Sequence, residues 1–146
     1  QVTSPGRLQL VGIEPTVLVD AAHNTHGAAA LSAALREYFD FDEFAIVLGV
    51  LADKDARGIV RELAALATRV DVTSSQSDRA IPADELADIV RDDVEPDAVF
   101  VHDELAEAMD AARAWADEAP RRAVVVTGSI TLLGETIALA EAEGWK

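Results

Sequence analysis

Short apolar runs alternate with longer amphipathic stretches along most of this chain. The runs occupy residues 8–11, 17–19, 44–48, 70–72, 98–101 and 123–126, and all are rich in Val, Leu or Ile. The later runs lack polar alternation, which is typical of strands covered on both faces. Each run therefore predicts a β-strand.

Between the runs, apolar residues recur at helical spacing. Five such stripes lie within residues 28–38, 59–67, 86–90, 105–112 and 132–140. Helix-start signals precede three of them: Asp53 or Asp55, then Pro82, then Asp103 with Glu104. The sequence thus predicts five helices.

Alternation of strands and helices predicts an α/β fold, in which helices cover both faces of a parallel sheet. Residues 12–16 separate the first two runs by the length of a hairpin turn, so these runs are expected to pair antiparallel. The predicted architecture is a Rossmann-like three-layer sandwich, with a mostly parallel sheet and an antiparallel N-terminal ribbon.

Composition narrows the classes of partner. The chain has 146 residues, enough for one domain, and its 12 Lys+Arg against 27 Asp+Glu give a net charge of −15. That charge argues against nucleic acid or an anionic membrane surface as the main partner. Without cysteine there is no disulfide scaffold or thiolate chemistry, which fits a cytoplasmic protein. Any anionic ligand has to be held by a few local cations or backbone N–H groups.

Ligands of such sheets bind beyond the carboxyl ends of the strands. Polar segments follow four of the predicted strands at residues 20–27, 49–55, 73–79 and 127–129. These four segments are expected to share one edge of the sheet and to form the ligand site.

The segment at residues 20–27 has three interpretations. In the first, Asn24 or Thr25 caps the following helix, with Asp20 in a turn. Asp20, His23 and His26, spaced three apart, could hold a metal, although the change from loop to helix fixes no common face. The third interpretation is a polar binding loop for a nucleotide or a charged substrate.

The remaining segments are less specific. Lys54 lies at a predicted helix start but is one of only two lysines. Gly128 and Ser129 stand between a strand and a helix, where backbone N–H groups can hold an anion. Neither a Gly-x-Gly-x-x-Gly nor a P-loop motif occurs. His102 is expected to have a capping or surface role.

Five segments in order carry a family resemblance. They are Pro5-Gly6-Arg7, Asp20-Ala21-Ala22-His23-Asn24, residues 49–55 with Asp53-Lys54-Asp55, Arg79-Ala80 and Thr127-Gly128-Ser129. Together they resemble the C-terminal domain of bacterial folylpolyglutamate synthase/dihydrofolate synthase, in the Mur ligase superfamily.

The resemblance implies an ATP-dependent amide ligase. A carboxylate of folate or dihydropteroate would be phosphorylated to an acyl phosphate, which the amino group of L-glutamate attacks. The P-loop and the Mg²⁺ ligands are then expected in an N-terminal domain that residues 1–146 do not include. The start at Gln1 fits a piece cut from such a longer chain.

The same resemblance implies site residues. It places Arg7 and Asp20 at ATP, and His23 and Ser129 at glutamate, with His23 also a candidate catalytic base. Supporting roles are expected for Asn24, Lys54 and Arg79, and no metal ligand is expected in this chain. Thr25 stands where the family commonly has Pro.

Two other classes of function remain open on the residues alone. One is a stand-alone α/β binding or regulatory module, and the other is a metal-dependent hydrolase using Asp20, His23 and His26. The C-terminal domain of a different Mur-type ligase is a further alternative within the same superfamily.

Overall fold

The six apolar runs form strands and the five amphipathic stripes form helices. The computed structural model describes residues 8–146, and Arg7 lies outside the described residues. The elements are β1 (Gln9–Ile13), β2 (Thr16–Val19), α1 (Thr25–Tyr38), β3 (Glu43–Leu48), α2 (Ala56–Ala64), β4 (Arg69–Val72), α3 (Ala83–Arg91), a 3₁₀ turn (Pro96–Ala98), β5 (Val99–Val101), α4 (Leu105–Asp117), β6 (Arg122–Thr127) and α5 (Ile130–Glu143).

The strands form one sheet in the order β1-β2-β6-β3-β4-β5. β1 runs antiparallel to β2, and every other neighbouring pair is parallel. The predicted α/β sandwich with an antiparallel N-terminal ribbon is confirmed. The turn is shorter than predicted, because Gly12 and Ile13 still pair with Val17 and Thr16, which leaves Glu14 and Pro15 between the strands.

Alternate side chains of the central strands face two separate cores. Phe44, Ile46 and Leu48 of β3 pack in a cluster with α1, α2 and α3. Ala45 and Val47 of the same strand pack in a second cluster with α4 and α5. The central strands are therefore buried on both faces, which explains their lack of polar alternation.

Because β6 inserts between β2 and β3, four of the five parallel strands, β2, β6, β3 and β4, end side by side at one edge of the sheet. We call this edge the rim, and define it as residues 20–24, 49–55, 73–82 and 128–129, which follow β2, β3, β4 and β6. Among residues 8–146, no helix combines the length and the apolar character that crossing a bilayer demands.

Candidate functional site

Backbone hydrogen bonds join the segments of the rim. The Gly128 N–H donates to the Ala22 carbonyl at 3.0 Å, which ties the segment after β6 to the one after β2. The Ala52 N–H donates to the Arg79 carbonyl at 2.7 Å, which ties the segments after β3 and β4. The loops that carry the predicted site residues therefore hold one another in place.

Gly128 allows two of these segments to approach closely. Its φ is +116°, a conformation that L side chains rarely adopt, and a Cβ placed there would lie 2.2 Å from the Gly49 carbonyl oxygen. Only glycine fits this position without moving the backbone, so the Thr127-Gly128-Ser129 motif has a steric basis in this chain.

A cavity of about 220 Å³ opens between the rim segments. Four predicted site residues line it, namely His23, Lys54, Arg79 and Ser129. The other lining residues are Leu51, Asp53, Ile130 and Thr131. The rim thus brings together side chains from four loops that are distant in sequence. Asp20 and Asn24 do not line this cavity.

A hydrogen bond shows which ring nitrogen of His23 carries the hydrogen. Nδ1 lies 3.0 Å from the Ala21 carbonyl oxygen. Because a carbonyl only accepts, Nδ1 carries the hydrogen, and Nε2 of the neutral ring is then an acceptor. This contact orients the ring and leaves Nε2 as the atom suited to receive a proton from a ligand.

Ser129 caps α5 with its side chain. Its Oγ accepts a hydrogen bond from the Leu132 N–H at 3.0 Å, and the residue is 1% exposed. The hydroxyl proton is the group that Ser129 can still donate.

Asn24 is the N-cap of α1, which confirms the capping interpretation for this residue. Its Oδ1 accepts a hydrogen bond from the Gly27 N–H at 2.7 Å. The amide therefore sets where the helix begins, directly after the loop that holds His23.

Asp20 is buried at the end of β2, with 1% of its surface exposed. Its Oδ1 accepts a hydrogen bond from the Ala22 N–H at 2.9 Å, and its own N–H donates to the Val126 carbonyl at 3.0 Å. The carboxylate thus shapes the turn that leads to His23.

The two acids beside Lys54 have different roles. Asp55 caps α2, since its Oδ1 accepts a hydrogen bond from the Gly58 N–H at 3.0 Å. Asp53 instead lies on the wall of the cavity, with Oδ2 3.9 Å from Lys54 Nζ and 3.6 Å from Arg79 Nη1. The sequence offered both acids as helix-start signals and as part of the Asp53-Lys54-Asp55 motif, but gave neither a role at a ligand.

A side-chain contact joins the starts of α1 and α2. Thr25 Oγ1 donates to Asp55 Oδ2 at 3.2 Å, linking the start of α1 to that of α2. A Cβ on Gly58 would lie 2.2 Å from Thr25 Oγ1, so glycine leaves room for this contact. The loops carrying His23 and Lys54 are therefore connected through their helices.

The described residues do not form the metal site considered for Asp20, His23 and His26. Within residues 8–146, no group of three or more His, Cys, Asp or Glu side chains is placed to hold a metal ion. The metal interpretation of Asp20, His23 and His26 therefore finds no support among the described residues.

A second polar cluster lies at the β4–β5 edge. Asp71 is fully buried and accepts two hydrogen bonds from Arg69, at 3.0 and 2.7 Å. His102 Nε2 lies 2.9 Å from Asp71 Oδ1. The expected capping or surface role of His102 is wrong, because Asp71 lies in the strand beside it and offers a buried acceptor.

Comparison with known proteins gives the family. Residues 6–130 match the family model of the Mur ligase, glutamate ligase domain. The dihydrofolate synthase/folylpolyglutamate synthase of Mycobacterium tuberculosis is 39% identical over an alignment of 144 residues, and the match covers 91% of this chain and 30% of that protein.

Solved structures agree with the sequence comparison. Mycobacterium tuberculosis folylpolyglutamate synthase complexed with ADP and AMPPCP superposes with a TM-score of 0.90 at 40% identity, over 95% of this chain and 33% of that one. A bifunctional folylpolyglutamate synthase/dihydrofolate synthase with Mn, AMPPNP and L-glutamate bound gives 0.80 at 26% identity, over 94% and 32%.

The chain spans about a third of the length of these relatives. Its α/β fold and its antiparallel N-terminal ribbon are those predicted from the spacing of apolar residues. The chain belongs to the Mur ligase family, as its glutamate ligase domain, and is similar to the corresponding domain of folylpolyglutamate synthase/dihydrofolate synthase.

Proposed function

We propose that this chain is the domain that helps bind L-glutamate and closes over ATP in a folate-directed amide ligase. The observation that carries the proposal is the rim cavity, where His23, Lys54, Arg79 and Ser129 converge. Two cations and a hydroxyl donor are the groups that a substrate with two carboxylates requires. In a chain of net charge −15, such a local concentration of donors favours a specific anionic ligand.

The reaction divides between two steps. First, a carboxylate oxygen of folate or dihydropteroate attacks the γ-phosphorus of ATP, giving an acyl phosphate and ADP. The glutamate amino group, once deprotonated, then attacks the acyl carbon, and inorganic phosphate leaves as the amide forms. The residues of this chain would act by holding glutamate and ATP in place for these steps.

We assign Arg7 and Asp20 to ATP binding on the strength of their motifs. Arg7 offers a planar fork of donors suited to phosphate, and Asp20 stands at the end of β2, where ligands of such sheets bind. Relatives complexed with ADP, AMPPCP and AMPPNP support nucleotide use by the family.

His23 has two compatible roles at glutamate. Its Nδ1 contact with Ala21 fixes the ring, and Nε2 is the acceptor that could take a proton from the attacking ammonium. Binding is the role that we favour, because His23 lines the same cavity as Lys54 and Arg79. The kinetics of a His23 variant separate these roles.

The rest of the enzyme would supply what residues 1–146 lack. We propose an N-terminal domain with the P-loop, the Mg²⁺ ligands and the folate pocket, packed against the rim. Mg²⁺ bound there would neutralise charge on the transferring phosphoryl group. We propose the cytoplasm as the location of the whole enzyme, in keeping with the absence of cysteine from residues 1–146.

The test is a product assay on the full-length protein that contains this domain. ADP formation is expected only when ATP, L-glutamate and a folate or dihydropteroate are all present, and mass spectrometry should show one added glutamate. Residues 1–146 alone should fold without forming ADP above background, since no P-loop motif occurs in them.

Other outcomes would identify the alternatives. Turnover with a different amino acid and acceptor would indicate another Mur-type ligase. No ATP-dependent ligation by the full-length protein, with the fold intact, would favour a binding or regulatory module.

A further inference from the structure

We infer that Asp53 binds the α-ammonium group of the amino-acid substrate, and so selects for an amino acid over a simple dicarboxylic acid. This inference rests on the proposed function of the rim cavity. It concerns a residue to which neither the motif resemblance nor a helix-capping contact gives a role.

Asp53 is the only carboxylate among the described residues that line the cavity. It faces two cations, Lys54 and Arg79, on the same wall. L-Glutamate carries two carboxylates and one ammonium. The three charged side chains therefore match the three charged groups of glutamate, each with the opposite sign.

The net charges also match. Apart from His23, the lining side chains carry two positive charges and one negative charge. Glutamate at neutral pH carries the reverse. A simple dicarboxylate such as glutarate would leave Asp53 without a partner of opposite charge in the ligand and would bring two further negative charges beside it.

The contacts of Asp53 are loose enough to be rearranged. Oδ2 lies 3.9 Å from Lys54 Nζ and 3.6 Å from Arg79 Nη1, and neither distance is that of a direct hydrogen bond. The side chain is half exposed, so these ion pairs are weak. Substrate carboxylates can take over the cations without breaking a strong contact, which leaves Asp53 for the ammonium.

The neighbouring acid shows that this placement is specific. Asp55, two residues along, is occupied by the Gly58 N–H and by the Thr25 hydroxyl. Asp53 has neither of these contacts and starts no helix. Substitution of Asp53 should therefore change the site without changing where α2 begins.

The experiment uses the full-length ligase and compares glutamate with glutarate, which lacks the amino group. For Asp53→Asn we expect the glutamate KM to rise about 10-fold, as for loss of a charge-assisted hydrogen bond at a half-exposed site. The inhibition constant of glutarate should stay unchanged or fall, because Lys54 and Arg79 remain. Asp53→Glu, which retains the charge, should restore much of the glutamate affinity.

Asp78→Asn is the matched control, since Asp78 is an exposed acid beside Arg79 that does not line the cavity. It should change neither constant. Equal weakening of glutamate and glutarate in Asp53→Asn would overturn the inference, because Asp53 would then act only by positioning the cations. An unchanged glutamate KM would also overturn it. A wild-type enzyme without glutamate-dependent turnover would instead refute the proposed function, and the inference with it.

Discussion

At the scale of single residues, the rim shows polar side chains divided between shaping loops and facing a ligand. Asn24, Asp55 and Ser129 each accept a backbone N–H at the start of a helix. Lys54 and Arg79 contact only Asp53 among the ion pairs of the described residues. Residue type alone does not separate these groups, since Asp53 and Asp55 are chemically identical neighbours.

Asp20 provides a prediction in which charge and shape can be separated. In the full-length enzyme, Asp20→Ala and Arg7→Ala should each weaken ATP use by roughly 10- to 150-fold, as expected for a lost charge-assisted hydrogen bond. Steady-state kinetics with varied ATP give the measurement.

Asp20→Asn is the control, because its amide oxygen can still accept the Ala22 N–H. If it keeps the thermal stability of the wild type but not the ATP affinity, the charge acts on the nucleotide. If Asp20→Asn keeps both the thermal stability and the ATP affinity of the wild type, Asp20 only forms the turn and its charge does not act on ATP.

His23 provides the second prediction. His23→Ala should raise the glutamate KM much more than the ATP KM, because Nε2 faces the glutamate site in our proposal. A fall in kcat at saturating glutamate, with a flattened pH profile, would instead identify a catalytic base.

His23→Asn tests whether the residue only pins its loop. An asparagine side-chain N–H can replace Nδ1 as donor to the Ala21 carbonyl, but it provides no equivalent of Nε2. Wild-type kinetics in His23→Asn would mean that the hydrogen bond to Ala21 is the whole role of this side chain.

At the scale of elements, ion pairs join the ends of strands opposite the rim. Arg121 precedes β6 and hydrogen-bonds Asp40 and Asp42, which precede β3. Hydrogen bonds from Arg121 lower the pKa of both carboxyl groups below the ordinary value of 3.8. The Arg121 carbonyl also accepts the Asp42 N–H at 2.8 Å, so side chain and backbone connect the same two segments.

The direction of these shifts predicts a change in acid stability. Because the folded-state pKa values are depressed, their stabilisation is complete above the ordinary value and is lost as the pH falls through the folded-state values. The double variant Asp40→Asn, Asp42→Asn should therefore lose less stability than the wild type below about pH 4.

Urea unfolding of residues 1–146 across this pH range is the measurement. Asp88→Asn is a suitable control, since Asp88 pairs with Arg91 on an exposed helix face away from these strands. If the free energy of unfolding changes with pH in parallel for the double variant and the wild type, Asp40 and Asp42 do not cause the loss of stability in acid.

The fold was predictable because the spacing of apolar residues and the length of each apolar run distinguish its strands from its helices. β3 and β6 are apolar without alternation, and the helices show apolar stripes. Both the buried strands and the helices that cover them therefore follow from hydrophobic spacing. The exact hairpin was not predictable, because strand pairing through Gly12 and Ile13 depends on register rather than on turn composition.

The site was predictable in part for a related reason. The rule that ligands bind at the carboxyl ends of strands places His23, Lys54, Arg79 and Ser129 at one edge. The role of His102 required knowing that β5 lies beside β4, which brings it to buried Asp71. Contacts between side chains on neighbouring strands, such as this one, depend on strand order, which the spacing of residues along the sequence does not predict.

At the scale of the whole molecule, one acidic domain presents a locally cationic cavity at a rim made of four loops. The chain matches about a third of each relative described above. In our proposal, this rim packs against a second domain that carries the phosphate chemistry. Substitutions on the cavity wall should therefore raise the KM for glutamate more than the KM for ATP.

The most direct test of that claim is the pair of KM values, for glutamate and for ATP, in the full-length enzyme carrying Lys54→Ala. The matched control is Lys146→Ala, which removes the other lysine of this chain at a position that does not line the cavity. We predict a glutamate KM raised about 10-fold or more, an ATP KM within about twofold of the wild type, and no change in either for the control. An unchanged glutamate KM in a folded Lys54→Ala enzyme, or an equal rise in both KM values, would contradict the assignment of this cavity to glutamate.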